Sequence, residues 1–356
     1  MKRLRYAVIG AGNGGQAMAG HLAIMGFDVA LYDIDRDKID RIREKGGVEV
    51  QDYINGFGRV SIITTDVEEA ISGANLIMVV TDSTAHKAVA ESMAPYLTEG
   101  QIIILNPGNF GSLEFDWIFK EKNIRKNVII AETESLVYSC RSPQPGTVEI
   151  RNIKRQLNCS AFPARRNGEV IGALQRLFPQ FRVGQNVMQI GLSNINAYHP
   201  TFTLFNAARI EYMKGDVKFY VEGATPSVVK IAERVDRERI QIGRVFGIEV
   251  PTSLDLLRKF YDTKGDTLYD VIQSVPNYKR SKAFPSLKSR YIYEDIPMHL
   301  VMISELGRLA EVDTFAIATL IDTASLLVGE NLRENARTLK SVGLAGKSVD
   351  EIRQLL

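Results

Sequence analysis

Tyr6-Ala7-Val8-Ile9-Gly10-Ala11-Gly12-Asn13-Gly14-Gly15 sets a short apolar run before a G-x-G-x-x-G turn, and a helix-like stretch follows over 16–25. Strand, glycine turn and helix come in the order that a dinucleotide-binding βαβ unit needs. Gly10 makes the tight turn, Gly12 lets backbone approach a pyrophosphate, and Gly15 lets the helix pack close to the strand. Asn13 and Gly14 complete the turn at the helix N-terminus, whose free N–H groups and dipole favour phosphate charge. A second apolar strand over 28–32 ends in Asp33, about 20 residues past the turn, where a carboxylate can hold adenosine ribose hydroxyls. That charge repels a 2′-phosphate and points to NAD. Arg36 and Lys38 stand close enough to soften the repulsion, so NADP stays open.

Further on, short apolar runs alternate with amphipathic stretches, as in a parallel sheet covered by helices. Residues 76–80 read as a buried strand ending in Thr81-Asp82-Ser83, with a helix expected over 84–94. Residues 102–105 lead into Asn106-Pro107-Gly108-Asn109, and 128–131 lead into Glu132-Thr133. Open α/β sheets bind ligands at the carboxyl ends of their strands, so Thr81, Pro107 and Gly108 are expected around the nicotinamide. Residues 148–160 read as extended, in the manner of an antiparallel hairpin. From 185 onward the spacing turns helical, over 200–213, 226–246, 252–260, 296–310 and 314–327. The last of these is apolar on almost every face, which suits a central helix or the interface of a homodimer. Ser348-Val349-Asp350-Glu351 is a capping box for a terminal helix. The fold class is therefore α/β: an N-terminal Rossmann dinucleotide-binding domain over 1–184, followed by an all-α domain over 185–356.

At 356 residues the chain exceeds one ordinary α/β core, and its net charge of +2 includes no long basic block. Nucleic-acid binding has no electrostatic support. Cys140 and Cys159 offer neither a disulfide framework nor a metal-ligand spacing, so no metal is expected. Lys2, Arg3 and Arg5 before an apolar run imitate the start of a signal peptide, but the glycine turn explains that run better. No window approaches the roughly 18 apolar residues of a membrane helix. A soluble, cytoplasmic protein that does not engage membranes is the expectation.

Proton transfer beside a nicotinamide suits histidine, and the chain has four. His21 reads as a packing or surface residue, His86 as a surface helix position, and His299 as a satisfied structural histidine. His199 stands in Asn196-Ala197-Tyr198-His199-Pro200, where the proline fits a helix start. Near an N-cap, orphan N–H donors could bind a substrate carboxylate while the imidazole handles the proton. The second constellation is Arg290-Tyr291-Ile292-Tyr293-Glu294-Asp295-Ile296-Pro297. From local sequence alone Asp295 reads first as a helix cap and Arg290 as a surface cation. The functional reading makes Asp295 the carboxylate that orients His199 and Arg290 the fork that grips a substrate carboxylate.

These residues resemble the opine dehydrogenases, the octopine/nopaline dehydrogenase family, over nearly the whole chain. The resemblance rests on Gly10 to Gly15, Asn106-Pro107-Gly108, and Ala131-Glu132-Thr133 with Tyr138 and Arg141. In the second half it rests on Asn196, His199-Pro200 and Arg290 through Asp295 to Pro297. It implies NAD(P)H-dependent reductive condensation of an amino acid with an α-keto acid, pyruvate foremost, through an imine. It further implies that a His199–Asp295 pair serves proton transfer and that Arg290 binds substrate carboxylate. One departure is Glu134-Ser135-Leu136-Val137-Tyr138, where relatives suggest a proline before the tyrosine. Two rivals keep the nucleotide domain. One is a 2-hydroxyacid or ketopantoate-type reductase using a lysine such as Lys214, Lys218 or Lys230; the other is a non-catalytic NAD-binding sensor.

Overall fold

The computed structural model describes residues 4–356, so Lys2 and Arg3 of the basic start lie outside the described residues. The chain forms two compact units, Met1–Val187 and Met188–Leu356.

In the first unit the strands are β1 (Arg5–Ile9), β2 (Asp28–Tyr32), β3 (Gly47–Asp52), β4 (Gly56–Arg59), β5 (Ile62–Thr64) and β6 (Ala74–Val79). They continue as β7 (Ile102–Leu105), β8 (Ile129–Thr133), β9 (Tyr138–Gln144), β10 (Thr147–Ile153), β11 (Leu157–Phe162) and β12 (Phe181–Val183). The helices are α1 (Asn13–Ile24), α2 (Arg36–Lys45), α3 (Val67–Ile71), α4 (His86–Met93), α5 (Gly111–Glu121) and α6 (Asn167–Leu174). Eight strands make one sheet in the order β12-β11-β8-β7-β6-β1-β2-β5. β5 through β8 run parallel to β1, and β11 runs antiparallel to β8. The strand order reverses between β2 and β6 on either side of β1. That is the switch point where such sheets open a crevice for ligands.

β3, β4, β9 and β10 form a second sheet, ordered β4-β3-β10-β9. The hairpin expected over 148–160 is a misreading of this region. β10 turns back on β9, not on β11, and β11 joins the large sheet beside β8. Both strands are apolar and alternating, and local pattern does not choose a partner. The second sheet also explains why α1 is buried on nearly all sides: a Cβ on its Gly20 would press on Val48 and Val50 of β3.

The second unit begins within α7 (Val187–Leu192). It continues as α8 (His199–Leu204), α9 (Ala207–Tyr212), α10 (Pro226–Val245), α11 (Ser253–Phe260), α12 (Leu268–Ser274) and α13 (Arg290–Tyr293). It closes with α14 (Val301–Leu309), α15 (Phe315–Val328) and α16 (Val349–Leu355). The helix expected over 200–213 breaks at Phe205–Asn206 into α8 and α9, where the Asn206 amide bonds the Phe202 and Gly223 carbonyls. α10 carries buried charge that is matched: Glu238 accepts from the Ala316 and Ile317 N–H groups and so caps α15. α15 buries Ala316, Ile317, Leu320, Ile321 and Ala324, while Phe315, Leu326 and Leu327 stay exposed, so it is not buried all round. Ser348 and Glu351 form the capping box of α16 as read from sequence. Among the described residues, no helix is long and apolar enough to cross a membrane.

Candidate active site

In the first unit the glycine turn joins β1 to α1. Gly10 sits at φ +102, and its N–H donates to the Tyr32 carbonyl at 2.8 Å. A Cβ on Gly15 would lie 1.7 Å from the Gly10 carbonyl oxygen, so only glycine lets α1 start this close to β1. The site of a Gly12 Cβ has nothing within 4 Å, Gly12 and Asn13 are exposed, and no side chain caps α1. Its N-terminus is open to a pyrophosphate. Asn13 reaches the other way, accepting from the Ser142 N–H of β9 at 2.8 Å. Gly14 is half-buried beneath Leu136 and Val80.

Asp33, just after β2, accepts from the Ala11 N–H at 2.6 Å and the Asp35 N–H at 3.0 Å. It thereby ties the phosphate turn to the ribose end of the site. Lys38 pairs with the same carboxylate at 3.3 Å, which places a cation where a 2′-phosphate would need one. Thr81, after β6, packs its methyl over Gly10, and its buried hydroxyl has no hydrogen-bond partner among the described residues. An orphaned hydroxyl at the switch point and an open helix N-terminus fit a dinucleotide. Gly108 is buried against Glu132, whose carboxylate accepts from the Phe110 and Ser112 N–H groups; Pro107 beside it is half-buried.

In the second unit His199 is the first residue of α8, and a 3-10 turn (Ile195–Tyr198) runs directly into it. Its N–H donates to the Asn196 carbonyl, and Pro200 has none. The turn before the helix therefore already takes up the first N–H of the helix start. The imidazole is the notable part. Its Nδ1 lies 2.9 Å from Asp295 Oδ2, with His199 7% exposed and Asp295 fully buried. Its Nε2 lies 3.0 Å from the Tyr220 hydroxyl. The Tyr291 ring rests against it, with centroids 4.3 Å apart.

Asp295 does not cap a helix, as local sequence suggested; its side chain makes no capping bond. The segment after it, Ile296–Leu300, is a π turn closed by the Leu300 N–H on the Asp295 carbonyl at 3.0 Å. Such wide turns re-aim the side chains at their ends, and here the carboxylate meets His199. Arg290 lies one turn earlier, on α13, paired with Glu294 at 3.0 Å. It lines an open cavity of about 410 Å³ with Lys288, Ser289, Tyr293 and Glu330.

Tyr198, Tyr220 and Tyr291 pack against the His199 ring, and Tyr278 and Tyr261 extend the cluster behind Tyr220. Tyr220 stacks on Tyr278 at 3.7 Å between centroids, and the Tyr198 and Tyr278 hydroxyls are 2.9 Å apart. Burial pushes the Tyr198, Tyr220 and Tyr278 hydroxyls well above their usual range and Tyr261 up to about 12. They stay neutral O–H groups across the physiological range. In the neutral imidazole with Nδ1–H donating to Asp295, Nε2 accepts from the Tyr220 hydroxyl. Sequence reading had quoted Tyr198 and Tyr291 but missed Tyr220 and Tyr278; only the folded helices bring them together.

The other histidines sort differently. His299 is fully buried, bonded through Nε2 to the Gly191 carbonyl at 2.8 Å, and burial lowers its pKa to about 4. It is structural, as expected. His86 is fully buried rather than on the surface, edge-on to Phe115. His21 bonds the Tyr138 hydroxyl at 2.9 Å. Lys214, Lys218 and Lys230 are all exposed.

Comparison with known proteins gives this arrangement a context. Over 98% of its length the chain is 37% identical to an opine dehydrogenase of Arthrobacter sp. (strain 1C), of which it covers 97%. The chain belongs to the opine dehydrogenase family. The alpha-helical domain of NAD/NADP octopine/nopaline dehydrogenases matches residues 183–328, and the NAD binding domain of 6-phosphogluconate dehydrogenase matches residues 5–111. The Pecten maximus octopine dehydrogenase is 24% identical over 95% of this chain and 94% of its own. A solved octopine dehydrogenase with NADH and L-arginine shares the fold at a TM-score of 0.79 and 21% identity, covering 98% of this chain and 97% of its own. This opine dehydrogenase family member is an NAD(P)-dependent oxidoreductase acting on CH–NH groups. Its cofactor is NAD, with NADP possible.

Proposed function

We propose that the enzyme condenses the α-amino group of an amino acid with an α-keto acid, pyruvate foremost, and reduces the resulting imine to a secondary amine. The observation that carries this reading is the buried His199–Asp295 pair, 2.9 Å apart, with Tyr220 on its other nitrogen. Family membership supplies the reaction class, and solved octopine dehydrogenases are described with L-arginine and with pyruvate. The bound nicotinamide supplies the hydride.

His199 protonates the imine nitrogen, which makes the imine carbon electrophilic toward hydride, and takes the proton back in the reverse direction. Asp295 fixes which nitrogen carries the exchangeable proton and stabilises the imidazolium, its charge undiluted by solvent in a buried position. Tyr220, kept neutral by burial, relays between Nε2 and the substrate. Arg290 binds a substrate carboxylate; its guanidinium is paired with Glu294 and lies beside an open cavity. Gly10, Gly12, Asn13, Gly14, Gly15, Asp33, Thr81, Pro107 and Gly108 form the dinucleotide side. The lysine-based ketone reductase is disfavoured, because Lys214, Lys218 and Lys230 all stand in solvent.

The test is NADH oxidation with pyruvate, with and without a panel of amino acids. Oxidation that requires both substrates supports the proposal. Oxidation with the keto acid alone overturns it in favour of a hydroxyacid reductase.

A further inference from the structure

The loop after β8 is tied down by a buried lysine together with Thr133. Lys154, at the end of β10, is 7% exposed, and its ammonium donates to the Leu136 carbonyl at 2.6 Å and to Ser135 Oγ at 2.9 Å. Its backbone N–H donates to the Val137 carbonyl at 2.9 Å, and Thr133 Oγ1 donates to the Ser135 carbonyl at 2.9 Å. Three consecutive carbonyls are thus tied, in a loop that has no proline to stiffen it. Burial pushes the lysine pKa down to about 8, with Cys140 and Glu134 pulling it up again, so this ammonium is kept inside at a cost.

What the loop holds in place is Leu136. A Cβ on Gly14 would lie 2.8 Å from Leu136 Cδ2 and 2.9 Å from Val80 Cγ1. Leu136 therefore rests on the glycine turn at the start of α1. We propose that Lys154 is a positioning residue for the dinucleotide: it fixes Ser135, Leu136 and Val137 so that Leu136 is held against Gly14 and the phosphate-binding turn. The inference concerns the cofactor site and does not depend on which substrates the enzyme joins.

The experiment is a fluorescence titration with NADH of the parent, Lys154→Met, Leu136→Ala and the double variant. Because Lys154 acts through Leu136, each single variant should bind NADH about tenfold more weakly, and the double no more weakly than the worse single. Ser135→Ala, which removes one acceptor and leaves the lysine, should cost about threefold and takes the place of Lys154→Met in the cycle if that variant does not fold. A lysine with only a structural role would lower the melting temperature and leave the two losses additive. Additive losses, or Lys154→Met and Ser135→Ala both binding within twofold of the parent, would overturn the proposal.

Discussion

Asp295→Asn leaves the size of the side chain and removes its charge, which makes it the sharpest probe of the histidine pair. The carboxylate oxygen lies 2.9 Å from His199 Nδ1, and neither residue is meaningfully exposed. When the imidazole is protonated, charge centres about 4 Å apart at an effective dielectric of about 20 attract by about 4 kcal/mol. That stabilisation is felt only while His199 carries charge, so its loss falls on turnover, by about a thousandfold. An asparagine that turns its NH₂ toward Nδ1 would also impose the wrong tautomer, which adds to the loss. NADH affinity should stay within about twofold, because the glycine turn lies in the first compact unit and Asp295 in the second. The assay is steady-state NADH oxidation at saturating substrates beside an NADH titration, with circular dichroism to confirm folding. A turnover within fivefold of the parent, in a folded variant that binds NADH normally, would refute the reasoning.

Tyr220→Phe removes the hydroxyl 3.0 Å from His199 Nε2 and should lower turnover at least tenfold with NADH binding unchanged; equal turnover would remove Tyr220 from the proton path. Asp33→Ala should weaken NADH more than NADPH, and Lys38→Ala should weaken NADPH more than NADH, as titrations with the two cofactors will record. His299 has its pKa lowered from about 6.5 to about 4, so the fold favours its neutral form. Its contribution is present above pH about 6.5 and is lost as pH falls toward about 4, amounting to about 3 kcal/mol. The melting temperature should drop across that interval, and His299→Gln should flatten the drop while lowering stability at neutral pH.

The legible parts of the fold are those whose cause is local. β1, the glycine turn, α1, β2 and Asp33 follow one another between Arg5 and Asp33, and each is dictated by its neighbours. β6, β7 and β8 are short apolar runs bounded by turn residues, and α10, α11 and α16 carry their own start signals in Pro226, Thr252 and Ser348. What was not legible depends on distant partners. β10 chose β9 and β3 rather than β11, because pairing is settled by which strands the rest of the sheet leaves free. The break between α8 and α9 comes from a bond to Gly223, and the π turn after Asp295 has no sequence signature. Within the candidate site, proline after His199 marked a helix start, but the 3-10 turn before it and the approach of Asp295 from 96 residues away did not register locally. Tyr220 and Tyr278 looked like any buried aromatics, and only packing places Tyr220 beside the imidazole with Tyr278 stacked on it.

The most direct test of the central claim follows the hydride itself. NADH carrying deuterium at the transferable C4 position, pyruvate and an amino acid are incubated with the enzyme, and the product is weighed by mass spectrometry. The expected product is a secondary-amine dicarboxylate bearing one deuterium on the former keto carbon, formed only when both substrates are present. Deuterium appearing in lactate instead, at a rate indifferent to the amino acid, would contradict it.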